Sequence, residues 1–306
     1  MARAETLRAP GLEEVLPAPS FWRVALRSLL RRRPALLGLF LVVAVIICAL
    51  FAPWLAPYDP VAQDASRYLK PPGWSPGGGA TPHWLGTDFV GRDILSRVIF
   101  GARVSLAVGL AAVVLSALIG LSVALVAGYY GGWVDAVLSR LVDIALAFPF
   151  ILLALSIVAM LGPALGNVIL AISLRTWIVY ARVIRGVVLS LREQEFVQGA
   201  RAAGCRTPYI LLVHILPNVL PPAVVIATLY LGRMIVIESA LSFLGLGVPP
   251  PTPTWGGMLA EGRSYIDTAW WLALFPGLAI MCTVLGANLL GDWLRDVLDP
   301  RLKGAM

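Results

Sequence analysis

The chain has 306 residues, 59% of them hydrophobic and only 13% charged, with a mean hydropathy of +0.84. Soluble domains carry about 25% charged residues, so a single water-soluble core is excluded and lipid is the expected solvent. The net charge of +7, from 24 Lys and Arg against 17 Asp and Glu, accompanies long charge-free runs and points to a membrane surface rather than to nucleic acid.

The residue inventory removes further classes. The only lysines, Lys70 and Lys303, are followed by Pro71 and Gly304, so no Gly-Lys-Ser/Thr phosphate loop exists and ATP hydrolysis by that route is excluded. The two histidines, His83 and His214, lie too far apart in sequence to form a helical zinc pair. Cys48, Cys205 and Cys282 are odd in number and widely spaced, as small buried hydrophobes would be rather than a disulfide framework.

In chain order, residues 1–33 form a basic tail whose first twenty residues, with Pro10, Pro17 and Pro19, are expected to be disordered. Pro34 to Tyr58, led by Arg31 to Arg33 and ended by Pro53, Pro57 and Pro60, predicts a first span. It reads as a signal anchor, because the apolar region of a cleaved signal peptide runs about 7 to 15 residues and starts nearer the N-terminus. A loop over 59–102, containing Pro71, Pro72, Gly73 and Gly77 to Gly79 with a possible helix from Arg92 to Phe100, leads to a second span. That span runs from Val104 to Ala127, with Gly128, Gly131 and Gly132 expected to break it. Ile144 to Leu174 exceeds one crossing of about 20 residues. Gly162, Pro163 and Gly166 in its middle divide it into spans three and four. Thr207 to Ile237 predicts span five and Thr268 to Gly291 span six, before a tail over 293–306. The expectation is therefore an all-α integral membrane protein with six transmembrane helices. Sixteen Lys and Arg fall on one set of connecting segments and six on the other, which predicts both termini in the cytoplasm.

Between spans four and five lies RVIRGVVLSLREQEFVQGARAAGCRTPYILLVHILPNVLPP, from Arg182 to Pro222. It reads as two short helices. From Glu193 to Ala203, the residues Phe196, Val197, Ala200 and Ala203 share one small apolar face. Gly204 is placed to close that helix, and Thr207 with Pro208 to start the next as N-cap and first-turn proline. Pro217 is expected to bend the chain into span five. An amphipathic helix lying on lipid is the bland alternative, but a face of alanine and glycine around one Phe suits close approach to a protein groove better.

Here the sequence resembles the membrane subunits of ATP-binding cassette importers, whose cytoplasmic signature runs Glu-Ala-Ala, three residues, Gly, nine residues, Ile, any residue, Leu-Pro. Gln198-Gly199-Ala200, Gly204 and Leu216-Pro217 fall in that spacing, with Gln198, Gly199 and His214 departing from the signature's Glu, Ala and Ile. A narrower resemblance covers nearly the whole chain and is to the dipeptide and oligopeptide permease branch, in particular its second membrane subunit. It rests on the Arg-rich N-terminus with the first span, HWLGTDFVGRDILSRVIFGARVSL from His83, ESALSFLGLGVPPPTPTWGGML from Glu238, and NLLGDWLRDVLDPRL from Asn288.

The resemblance implies a type I importer permease fold over residues 103–292, with a coupling segment at 190–216, in a bacterial or archaeal cytoplasmic membrane with the N-terminus inside. It implies a non-catalytic subunit that moves di- or oligopeptides by alternating access. The partners implied are a homologous permease subunit, two cytoplasmic ATPase subunits carrying ATP and Mg, and an extracytoplasmic substrate-binding protein. No cofactor is expected on this chain. Phe196, Val197, Gln198, Gly199, Ala200, Ala203, Gly204, Leu216 and Pro217 are the residues expected to couple to the ATPases. The 59–102 loop either feeds the second span or meets the binding protein, and the residues leave both readings open.

Asp143, Arg175, Arg233, Glu238 and Asp292 lie near membrane depth, where ionisable groups are costly. Arg233 and Glu238 are candidates to line the path; the alternative for Asp143, Arg175 and Asp292 is pairing or snorkelling at an interface. Among other classes, an intramembrane aspartyl protease is disfavoured because Leu289-Leu290-Gly291-Asp292 misses Gly-x-Gly-Asp. A proton-coupled secondary transporter would show inverted repeats around midplane acids, which the sequence lacks. Within the importer branch, the resemblance leaves nickel, glutathione and antimicrobial peptides as alternative solutes, nickel having little support from two histidines.

Overall fold

The computed structural model describes residues 21–77 and 81–298; the tail expected to be disordered at 1–20 lies outside them. All the regular structure in the described residues is helical. A short amphipathic helix α1 (Phe21–Arg31) is separated by Arg32, in extended backbone, from α2 (Arg33–Leu50). The first span was expected to reach Tyr58, but it stops at Leu50. Pro53 cannot donate to the preceding turn, and the chain restarts as the single turn α3 (Ala52–Leu55) with proline in its opening position.

The long helix α4 (Ile94–Tyr130) contains 37 residues, about 55 Å at 1.5 Å per residue, well beyond a hydrocarbon core of roughly 30 Å. The helix expected over Arg92 to Phe100 is thus the first part of α4, capped by the Asp93 carboxylate, which accepts from Ser96 N at 2.7 Å. Gly128 does not break it. That glycine is buried against Val188, whose Cβ an added Cβ would meet at 2.8 Å. The helix ends instead at Gly131, whose φ of +65° suits a residue without Cβ.

Next, α5 (Gly132–Ala147) and α6 (Phe150–Leu161) meet at 86°. Sequence reading passed over the cause, Pro149, which holds Phe148 extended and interrupts the hydrogen-bond ladder. The expected turn at Gly162 and Pro163 is present and leads into α7 (Leu165–Leu191). After α8 (Glu195–Ala202), the turn α9 (Thr207–Tyr209) runs through wide π-type turns at Ile210–Ile215 into α10 (Leu216–Phe243). Two helices complete the order, α11 (Trp255–Gly262) and α12 (Trp271–Leu298).

Five helical runs are long and apolar enough to cross a membrane: α2, α4, α7, Thr207–Phe243 and α12, with the bent α5–α6 pair making a sixth if it counts as one span. The core is the packing of α4, α7 and α10. Val108, Ala112 and Val113 meet Val168, Ala171 and Ile172 with Met234 and Leu241. Small residues permit this approach, as helices in lipid associate by close packing rather than by expelling water. Likewise a Cβ on Gly38 would lie 2.8 Å from the Leu289 Cβ, which brings α2 against α12.

Candidate coupling surface

The two ends of α4 carry different structures. At its N-terminal end the loop between α3 and α4 folds with α11 into a cap built around a cluster of buried polar groups. Asp88 accepts from Arg92 Nε at 2.6 Å and from the Arg97 guanidinium, while Glu261 receives Arg92 Nη2 at 3.1 Å and Arg97 Nη2 at 2.9 Å. His83 lies buried between the rings of Tyr58 and Trp74, its Nδ1 2.8 Å from Asp93 Oδ1. Trp271 Nε1 donates to the Thr87 carbonyl at 3.1 Å and Trp255 Nε1 to that of Val98 at 2.9 Å. This segment is an ordered lid on the bundle rather than a bare linker.

Glu238, a candidate lining residue, is enclosed at 0% exposure beneath this cap, accepting from Ser242 Oγ at 2.8 Å. It therefore faces no open path in the chain. Arg233, the other candidate, is exposed on α10 with its guanidinium over the Tyr230 ring at 5.5 Å. Asp143 pairs with Arg182 at 2.7 Å, as expected of an interfacial acid.

At the opposite end of α4 sits the insertion. Its helix α8 begins at Glu195 rather than Glu193 and ends as the glycine predicted. Gly204 N donates to the Arg201 carbonyl at 3.0 Å and Cys205 N to that of Ala200 at 3.1 Å, with Gly204 at φ +77°. This is the paired closure that a left-handed C-terminal residue makes, and Ala200 and Cys205 both pack on one core cluster.

The apolar face does not act as one surface. Val197 is fully buried with Ala124, Ile184, Val188, Ile210 and Ile215, and Ala200 is half-buried beside it. These two hold α8 to α4, α7 and the start of α10. Phe196, Gln198, Gly199, Ala203 and Gly204 are exposed. Periodicity placed Phe196, Val197, Ala200 and Ala203 together, but a helix of 8 residues has too little surface to use all four in one contact. Gln198 spends its amide on the Glu193 carbonyl at 3.0 Å.

The second expected short helix is also different. Thr207 is the first helical residue rather than the N-cap, which is Arg206 without a side-chain bond. The single turn α9 then runs on through the wide turns into α10 without a break. Pro217, exposed at the opening of α10, donates no hydrogen bond to the turn before it. The wide turns at Ile210–Ile215 accommodate that loss, and Asn218 Nδ2 donates to the His214 carbonyl at 2.6 Å. Leu216 is half-buried against the same cluster as Val197.

Sequence reading missed the polar ties. Arg192 Nη1 donates to the Gly128 carbonyl at 3.1 Å, and the Arg201 guanidinium lies 4.7 Å from the Tyr129 ring centre. Their partners sit more than sixty positions away, so no local pattern announces them. Arg192, which closes α7, ties the turn before α8 to α4, and Arg201 with the buried Val197 holds α8 itself, while Gly199 and Ala203 stay bare and Phe196, Tyr209, Leu212 and Val213 are exposed.

Residues 116–304 match the family described as binding-protein-dependent transport system inner membrane component, and residues 20–72 match the N-terminal TM domain of oligopeptide transport permease C. The chain belongs to the binding-protein-dependent inner membrane permease family. Within this family it is 45% identical over 295 residues to the dipeptide transport system permease protein DppC of Alkalihalophilus pseudofirmus, covering 96% of this chain and 95% of that one. It is 46% identical over 296 residues to the di/tripeptide transport system permease protein DppC of Pseudomonas aeruginosa, covering 97% and 96%. It is also 45% identical over 288 residues to the glutathione transport system permease protein GsiD of Escherichia coli, covering 94% and 92%. The chain is thus an ABC importer permease of the peptide branch, a multi-pass membrane subunit of a family that is generally non-catalytic.

Proposed function

We propose that this permease subunit moves di- or oligopeptides across the cytoplasmic membrane by alternating access, driven by ATP hydrolysis on separate subunits that dock on the exposed side of α8. The observation that carries this reading is the division of labour within α8. Val197 is fully buried and clamps the helix to α4, α7 and α10, while Gly199, Ala203 and Gly204 are bare. A push delivered to that side is transmitted to the spanning helices rather than absorbed in a loop. Alternating access requires only that the ATPases bind the two pore states with different free energies.

In this reading the α8 end faces the cytoplasm, the termini lie on that side, and the α5–α6 pair counts as one of six spans. The cap faces outward, toward a substrate-binding protein, and a homologous permease completes the pore. The ATPase subunits carry ATP and Mg, and this chain needs no cofactor of its own. Glutathione is the second solute to test, since a relative as similar as the dipeptide permeases is named for it.

Gly199→Glu is the discriminating variant. A Cβ at Gly199 meets nothing within 4 Å, and glutamate is a better helix former than glycine, so the fold is undisturbed while a charge enters the docking side. The complex purified from its native membrane should retain its ATPase subunits with the wild-type chain and lose them, together with peptide-stimulated ATP hydrolysis, with the variant. Equal ATPase recovery and turnover in both would refute docking on this side. Peptide uptake without any ATPase subunit would favour a secondary transporter.

A further inference from the structure

Two arginines lie far inside the apolar runs without a counter-charge. Arg175 is ten residues into α7 and Arg233 ten residues before the end of α10, each about 15 Å from the nearer helix end at 1.5 Å per residue. Among the described residues neither makes an ion pair, whereas Arg182 and Arg185, further along α7, each hold an aspartate. A charge at that depth is costly unless it meets a cavity or a partner.

The packing brings the two to one level and one side. Val168 shares a core cluster with Leu241, and Val188 another with Val219, so α7 and α10 run antiparallel. Thr176 Oγ1 lies 3.6 Å from Met234 Sδ, and the arginines are the residues immediately before these, so they stand level. Each is also two residues, about 200° of helix turn, from a residue packed on α4. The Ser173 hydroxyl donates to the Ala112 carbonyl at 3.3 Å, and a Cβ on Gly109 would lie 3.1 Å from Ile235 Cγ1. Both arginines therefore leave the α7–α10 seam on the side away from α4. Arg233 is exposed there with its guanidinium over the Tyr230 ring at 5.5 Å, and Arg175 is half-buried.

We propose that Arg175 and Arg233 form a carboxylate subsite on the translocation path, receiving the C-terminal carboxylate of the peptide as it passes. The inference rests on the peptide transport proposed above and names the groups that recognise the substrate. Two like charges at one level repel each other in a low dielectric, and an anion between them relieves that repulsion. A guanidinium matches a carboxylate in shape as well as in charge. The terminal carboxylate is common to linear peptides whatever their side chains, so a site for it accepts many sequences. Because this chain supplies no acid to the two arginines, their charges stay free between passages and the contact lasts only while a peptide is there.

The test uses the complete complex in liposomes, with its binding protein saturated either by a dipeptide or by the same dipeptide amidated at its C-terminus, and compares the two uptake rates. The wild type should favour the free dipeptide, and the binding protein's own preference cancels when the ratio of rates is compared between variants. Arg175→Gln combined with Arg233→Gln should lower that ratio at least tenfold, while Arg175→Lys combined with Arg233→Lys, which keeps both charges, should retain most of it. Equal rates for the two compounds in the wild type, or a ratio unchanged in the glutamine variant, overturns the proposal, as does a lysine variant no better than the glutamine one. Loss of the homologous permease from a glutamine variant recovered at wild-type yield also overturns it, since an acid of that subunit would then hold the two charges. Absence of uptake of either compound by the wild type overturns the peptide reading itself, and this one with it.

Discussion

The two ends of α4 are held by opposite means. At the cap, Asp88, Arg92, Arg97 and Glu261 form a buried charge cluster, and two tryptophans donate to backbone carbonyls. At the insertion, the buried Val197 and one arginine, Arg201 over the Tyr129 ring, hold a helix of 8 residues whose other side is exposed, with Arg192 tying the turn before it to the Gly128 carbonyl. A buried charge left without its partner is expensive, so the cap tolerates one arrangement. An apolar anchor is non-directional, so the insertion can tilt with its neighbours. The difference suits a lid that keeps its shape and a lever that moves with the helices beneath it.

The contrast is sharpened most by Asp88→Asn, which leaves two buried guanidiniums sharing Glu261. The loss should be about 3–5 kcal/mol, read as a lower thermal unfolding midpoint in detergent together with faster trypsin cleavage after Arg67. A midpoint equal to wild type would show that the cap is not locked by charge. Next comes Val197→Ala, which deletes two buried methyl groups and should cost roughly 2 kcal/mol. Its effect should be local, with early cleavage after Arg201 and Arg206 and an unchanged cap; simultaneous loosening of both ends would break the distinction. The smallest is Gly204→Ala, which places a Cβ on a left-handed residue at a cost of about 1–2 kcal/mol. The global midpoint should barely move, while ATP hydrolysis stimulated by peptide falls; an unchanged coupling ratio would show that the closure of α8 does not matter to the lever.

Much of the insertion was legible in advance because its signals are local. Gly204, three residues beyond Arg201 and preceded by a short periodic run, announces a helix stop wherever it stands. What periodicity could not give was the split between Val197, turned inward, and Phe196, left outside. That choice depends on Ile184, Val188 and Ile215 arriving from other helices. Thr207 has the composition of an N-cap, yet the chain enters the helix one residue earlier, because the following turns merge with α10.

The cap was harder to read. Arg92 and Glu261 are 169 positions apart, and nothing in the neighbourhood of either residue names the other. Glu238 shows the same limit in reverse: position along the chain puts it near membrane depth, and only the fold shows Ser242, one turn onward, and the overlying cap enclosing it.

By itself the sequence determined what depends on composition and short spacing. These are the lipid solvent, the apolar runs, the glycine stop of α8 and the family signature, since each is written within one turn or one span of the chain. Only the tertiary structure decided which glycine broke a helix and which served close packing, where α5 and α6 bend apart, that the loop between α3 and α4 closes into a lid, and which side of α8 is free. Those outcomes turn on which surfaces meet, and burial is a property of pairs of elements rather than of any one of them.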